Sequence, residues 1–143
     1  MSEGSHIQAR LRWVLVVEDD PVISEILLET LKHEGFRTVH SESVSEAIVK
    51  LSRQDFDCVV LDVQLKTESG EKVTRYLRSG DYKKKNTPIL LISGNLEGSL
   101  LEKLAPQING ALLKPFKMQI FVDRVKALIK QGLPGLGVGN RVA

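Results

Sequence analysis

Three short runs of the chain are apolar at every position: Trp13–Val17, Cys58-Val59-Val60-Leu61 and Ile89-Leu90-Leu91-Ile92. Runs of this length that do not alternate with polar residues fit strands buried on both faces of a parallel sheet. Two weaker segments, 36–40 and Gly110–Leu113, bring the predicted strands to five. Helical periods fill the gaps. Asp20 is placed to cap a helix with Pro21 at its first position, and Ile23, Ile26, Leu27 and Leu31 share one face. Gly35 stands where such a helix ends in a left-handed residue. Ser43 and Glu46 read as a capping box leading into Ala47, Ile48 and Leu51. Shorter helices are predicted over 70–78, from Val73 and Leu77, and over 96–104, from Leu96, Leu100 and Leu104. The clearest period is Met118, Phe121, Val122, Val125, Leu128 and Ile129. Five strands alternating with five helices predict an α/β fold, a doubly wound five-stranded parallel sheet covered on both faces. Residues 1–12 read as an N-terminal extension, 13–131 as the folded domain, and 132–143 as a flexible Gly-rich tail.

Composition narrows the picture. The 143 residues are 42% hydrophobic, enough for one compact domain. A formal net charge of +2 predicts neither nucleic-acid nor anionic-membrane binding from bulk charge. No apolar run approaches the roughly 20 residues that span a bilayer. Trp13–Val17 is also too short, and too quickly followed by acids, for a signal-peptide core. The single cysteine, Cys58, excludes an intramolecular disulfide framework and a multi-Cys zinc site. A soluble cytoplasmic protein is expected.

Candidate chemistry lies at the strand ends, because open α/β sheets build their sites beyond the carboxyl edge. Glu18, Asp19 and Asp20 follow the first strand, Asp62 ends the third, Ser93 the fourth, and Lys114-Pro115-Phe116 follow the fifth. Clustered carboxylates repel unless a hard cation holds them, and Mg²⁺ suits a few carboxylates completed by water and phosphate oxygens. A carboxylate can also attack a phosphoryl group, with metal, hydroxyl and lysine each holding one equatorial oxygen.

With these stretches, Val16-Val17-Glu18-Asp19-Asp20-Pro21, Leu61-Asp62-Val63-Gln64-Leu65 with Gly70, Ile92-Ser93-Gly94 and Lys114-Pro115-Phe116, the chain resembles the receiver domain of two-component response regulators. The intervals of 43, 31 and 21 residues separating Asp19, Asp62, Ser93 and Lys114 match as well. The resemblance implies a flavodoxin-like strand order, 2-1-3-4-5, the order known for a chemotaxis member of this group. It implies that Asp62 accepts phosphate from a histidine kinase or phosphotransfer protein. By the same resemblance Asp19 would ligate Mg²⁺ directly, Glu18 through water, and Asp62 and the Gln64 backbone carbonyl would complete the protein ligands. Ser93 would bond one phosphoryl oxygen and report the event, and Lys114 another. Such a protein catalyses only its own phosphorylation and dephosphorylation and is not otherwise an enzyme. A dimer formed on phosphorylation is compatible with it; nucleic acid and membrane are not expected partners of this chain.

Three positions depart from the family pattern. Lys66 stands where proline is usual, Gly94 where alanine is common, and Ala111 where many members carry Tyr or Phe. Two competing readings follow: a pseudo-receiver scaffold without phosphorylation, and an aspartyl-phosphate phosphatase, which would want a second acid where Gln64 stands. His6, His33 and His40 lack ligand-like spacing, and Lys83-Lys84-Lys85 reads as a solvated loop. Gly135-Leu136-Gly137-Val138-Gly139 is not a dinucleotide loop, since Asn140 follows and no strand precedes it. The 12 residues 132–143 are too few for a helix-turn-helix, so a stand-alone domain or one cut from a longer chain is expected.

Overall fold

The computed structural model describes residues 10–95 and 98–131. Its elements run β1 (Trp13–Val17), α1 (Pro21–His33), β2 (Arg37–Ser41), α2 (Val44–Arg53), β3 (Cys58–Asp62), α3 (Glu71–Arg78), α4 (Tyr82–Lys85), β4 (Ile89–Ser93), α5 (Gly98–Leu104), a 3₁₀ turn (Ala105–Gln107), β5 (Gly110–Leu113) and α6 (Met118–Gln131). Of the extension expected over 1–12, residues 1–9 lie outside the described residues, as do the tail over 132–143 and Leu96.

All strand pairs are parallel and the order is β2-β1-β3-β4-β5, as expected. The unbroken apolar strands divide their side chains between two cores. Leu15, Val17, Val59, Leu61, Ile89 and Leu91 pack with Val44, Ala47 and Leu51 of α2, Val73 and Leu77 of α3, and Leu104 of α5. Val14, Val16, Cys58, Val60, Leu90 and Ile92 pack with Leu27 and Leu31 of α1 and with Phe121, Val122 and Val125 of α6. β3 and β4 are buried at every position, which is why neither alternates in sequence.

Local signals act largely as expected. The Asp20 carboxylate accepts from the amides of Val22 and Ile23, and Pro21 opens α1. Gly35 takes a φ of +96° just beyond the helix. The capping box is displaced by one residue: Ser43 accepts from the Glu46 amide, but the Glu46 carboxylate accepts from Glu42 N, not from Ser43. The helix after β3 starts at Glu71, one residue later than expected, and β2 is also shifted by one residue.

The lysine run is not a loop. It forms the single turn α4, capped by Asp81, and Lys84 donates to Leu51 O at 2.6 Å beside Asp55. Another tie sits at the same end of the sheet. Half-buried Arg78 donates to Gln107 O, Lys85 O, Thr87 O and Asn109 Oδ1. Asn109 Oδ1 also accepts from Ile89 N, so one guanidinium joins α3 to the starts of β4 and β5.

Gly70 governs the opposite edge. A Cβ built there would lie 2.6 Å from the Asp62 carbonyl oxygen and 3.0 Å from Leu61 Cδ1. No relaxation of a flexible side chain relieves a backbone clash of that depth. Gly70→Ala is therefore expected to destabilise the fold by roughly 1–3 kcal/mol. Urea unfolding checks this, and an unchanged midpoint would show that the loop after β3 can move aside.

Candidate functional site

β1 and β3 are neighbours, and Val17 pairs with Leu61. The residues that end or follow these strands, Glu18 and Asp62, therefore meet at the carboxyl edge. Glu18 is fully buried and Asp62 is 3% exposed, whereas Asp19 is half-buried. One carboxylate oxygen from each of the three lies within 4.8 Å of the others.

The residue after β5 contributes the counter-charge across two strands. Lys114 Nζ lies 2.7 Å from Glu18 Oε1 and 2.8 Å from Asp62 Oδ2, donating to both. The Lys114–Pro115 peptide bond is cis. Each carboxylate also accepts a main-chain amide. Asp20 N donates to Glu18 Oε2 at 3.1 Å, Gln64 N to Asp62 Oδ1 at 2.8 Å, and Lys66 N to Asp19 Oδ2 at 2.5 Å.

Burial is the largest influence on Glu18, and it holds the carboxyl above its ordinary range. The bonds from Lys114 and Asp20 only partly offset it, and the neighbouring Asp62 charge adds to it. Desolvation thus outweighs the mutual repulsion of the acids in raising the Glu18 carboxyl. Burial also works against the Lys114 ammonium, yet its bonds to Asp62 and Glu18 prevail and its pKa is raised.

Ser93 ends β4 and is fully buried, but its hydroxyl is engaged. It donates to Gln64 Oε1 at 2.7 Å, with Asn95 O at 3.1 Å, and accepts from Asn95 N at 3.2 Å. The structure thus brings Glu18, Asp19, Asp62 and Lys114 together, and links Ser93 to the same loop through Gln64. Of the departures from the family pattern, Gly94 is exposed, and a Cβ there would meet nothing within 4 Å. Ala111 is half-buried against the core under α2, α3 and α5 and brings no ring to β5. His40, half-buried on β2, bonds through Nε2 to Glu18 O at 2.8 Å and is not among the clustered acids.

Two features of the site have no counterpart in the sequence expectations. They are the three main-chain amides and the link between Glu68 Oε2 and Val44 N, which ties the loop after β3 to α2. Backbone donors carry no residue-type signal. For Lys66 the one available clue is its being other than proline.

Residues 14–126 match the family model of the response regulator receiver domain. The chain belongs to that family. This receiver domain is 33% identical over 134 residues to the response regulator MprA of Mycolicibacterium vanbaalenii, covering 91% of this chain and 55% of that protein. It is 32% identical over 120 residues to the cell cycle transcriptional regulator CtrA of Caulobacter vibrioides, covering 82% of this chain and 50% of that protein. The chain thus spans about half the length of the curated relatives it matches. The receiver fold is shared with chemotaxis protein CheY4 of Vibrio cholerae, at a TM-score of 0.77 and 22% identity over 83% of this chain and 99% of that one. The receiver domain of sensor histidine kinase PA1611 from Pseudomonas aeruginosa superimposes with a TM-score of 0.75 at 26% identity, over 84% and 98% of the two chains. That structure holds a magnesium ion in its active-site cleft. Among the described residues of this receiver, no helix is long and apolar enough to cross a membrane.

The raised Glu18 carboxyl makes a signed prediction. Its contribution favours folding below the ordinary value of 4.5 and is lost as pH rises through the raised folded value. Glu18→Gln does not titrate, so the variant should gain stability relative to wild type as pH rises from about 4 towards neutrality. Urea midpoints of both proteins in chelator across that range check it. A difference independent of pH would contradict it.

Proposed function

We propose that this receiver takes a phosphoryl group onto Asp62 from a histidine kinase or phosphotransfer protein, with Mg²⁺ as cofactor. The observation that carries the reading is the convergence of three carboxylates, two of them buried, around the ammonium of Lys114. A divalent cation fits this donor set: the three acids outweigh the single cation, and their ligand atoms are already within 4.8 Å of one another. Asp19 and Asp62 would hold the ion directly, Glu18 through water, and the Gln64 carbonyl would complete the protein ligands. When bound, Mg²⁺ neutralises charge on the carboxylates and on the phosphoryl oxygens.

The chain's own residues do the rest. A carboxylate oxygen of Asp62 attacks phosphorus, and the phosphorus–nitrogen bond of the donor phosphohistidine breaks. The bonding pair stays on the imidazole nitrogen, which is left neutral or takes up a proton. Hydrolysis of the acyl phosphate by water restores Asp62 and releases phosphate. Lys114, 2.8 Å from Asp62, is placed to exchange that contact for a phosphoryl oxygen. Ser93 must give up its bond to Gln64 Oε1 to donate to another. With Ala111 in β5, no aromatic ring at that position follows the hydroxyl movement, so the response to phosphorylation rests on Ser93 and the residues after it.

Phosphotransfer within a cytoplasmic two-component pathway is the proposed setting, 13–131 the proposed functional domain, and the output partner a protein. Dimerisation on phosphorylation is compatible with this. The phosphatase reading lacks its second acid, because Gln64 stands there and binds Ser93.

Two variants test the proposal. Asp62→Asn should lose the labile phosphoryl adduct that acetyl phosphate and Mg²⁺ produce on wild type, read by intact-mass spectrometry. An equal adduct on the variant would overturn the assignment. Lys114→Ala should retain Mg²⁺ binding yet acquire phosphate about 10²-fold more slowly, the usual cost of removing one charge-stabilising donor. Wild-type rates in that variant would remove Lys114 from the reaction.

A further inference from the structure

Three main-chain amides grip the three acids, but they are not equivalent. Asp20 N on Glu18 and Gln64 N on Asp62 are local bonds, each spanning two residues. Lys66 N on Asp19 spans 47 residues and joins the loop after β3 to the loop after β1. It is also the shortest of the three, and its acceptor is a carboxylate oxygen. The side chain of Lys66 is exposed, so what this position gives the pocket is its N–H.

We propose that Lys66 is a positioning residue for Mg²⁺ binding, acting through its backbone amide to fix the Asp19 carboxylate as a preformed ligand. This rests on the reading that the acidic pocket takes Mg²⁺. The physical basis is the loss of freedom on binding. An unrestrained carboxylate must be ordered when the ion arrives, whereas one already bonded through Oδ2 offers its remaining lone pairs from a fixed place. The same loop is held at two further points, by Gln64 N on Asp62 and by Glu68 on the Val44 amide. The Lys66 bond therefore transmits the position of β3 and α2 to the ligand that follows β1. Proline at this position would have no N–H to give.

The test compares two uncharged variants, so that loss of the lysine charge cancels. Lys66→Ala keeps the amide and Lys66→Pro removes it. Calorimetric Mg²⁺ titration of the full chain should give a dissociation constant for Lys66→Pro on the order of ten-fold weaker than for Lys66→Ala. Equal constants would overturn the inference while leaving Mg²⁺ binding intact. A wild type that binds no Mg²⁺ would overturn the underlying reading as well. The bond has its own readout, which does not depend on how the proline variant folds. In metal-free wild type the Lys66 amide proton should resonate downfield, and Asp19→Ala should move it upfield by NMR. A Lys66 resonance unmoved by Asp19→Ala would show that the bond does not exist in solution and overturn the proposal.

Discussion

A single ammonium shared by two carboxylates almost excluded from water is the interaction on which the site depends. Glu18 and Asp62 are forced together by strand order, since β1 and β3 are adjacent and in register up to the residues that carry them. Two like charges about 4 Å apart at an effective dielectric near 20 repel by roughly 4 kcal/mol. Lys114 reaches across from the end of β5 to offset that repulsion; burial works against its charge, but its bonds to the two acids prevail and hold its pKa raised. Asp19 adds a third negative charge at the rim. The metal-free pocket is therefore left with more negative than positive charge.

That imbalance connects structure to chemistry. A fold that placed these acids further apart would be easier to stabilise but would have no particular affinity for a divalent cation. Here the backbone directs a donor at each carboxylate, and the sheet keeps them near one another. On the proposed reading, the site would respond to whatever adds positive charge or takes over the Lys114 contact. Ser93, joined to the same loop through Gln64, lies where a change at Asp62 can be passed to β4 and the segment after it.

Much of this is legible in the sequence for definite reasons. Strands buried on both faces leave unbroken apolar runs, so β1, β3 and β4 stand out. The edge strand β2 carries Arg37, Thr38 and His40, and its weaker pattern points one residue too early. Glu18, Asp19, Asp62, Ser93 and Lys114 are legible as candidates because strand ends are where an α/β sheet exposes chemistry. What stays hidden depends on tertiary geometry. Arg78 reads as one more charge on an amphipathic helix until its four acceptors are assembled around it. Lys83-Lys84-Lys85 reads as a solvated run because the contacts that fold it, Leu51 O and Asp55, come from α2 and the segment after it. The weight of burial over repulsion at Glu18 likewise emerges only from the packed structure.

If the pocket holds excess negative charge awaiting a cation, thermal melts of wild type and Asp62→Asn at neutral pH test it most directly. In chelator, removing one charge should raise the melting temperature of the variant above that of wild type. In several millimolar Mg²⁺, wild type should gain more than the variant, so that the gap shrinks or reverses. A variant less stable than wild type in chelator, or Mg²⁺ that moves neither melt, would contradict the account.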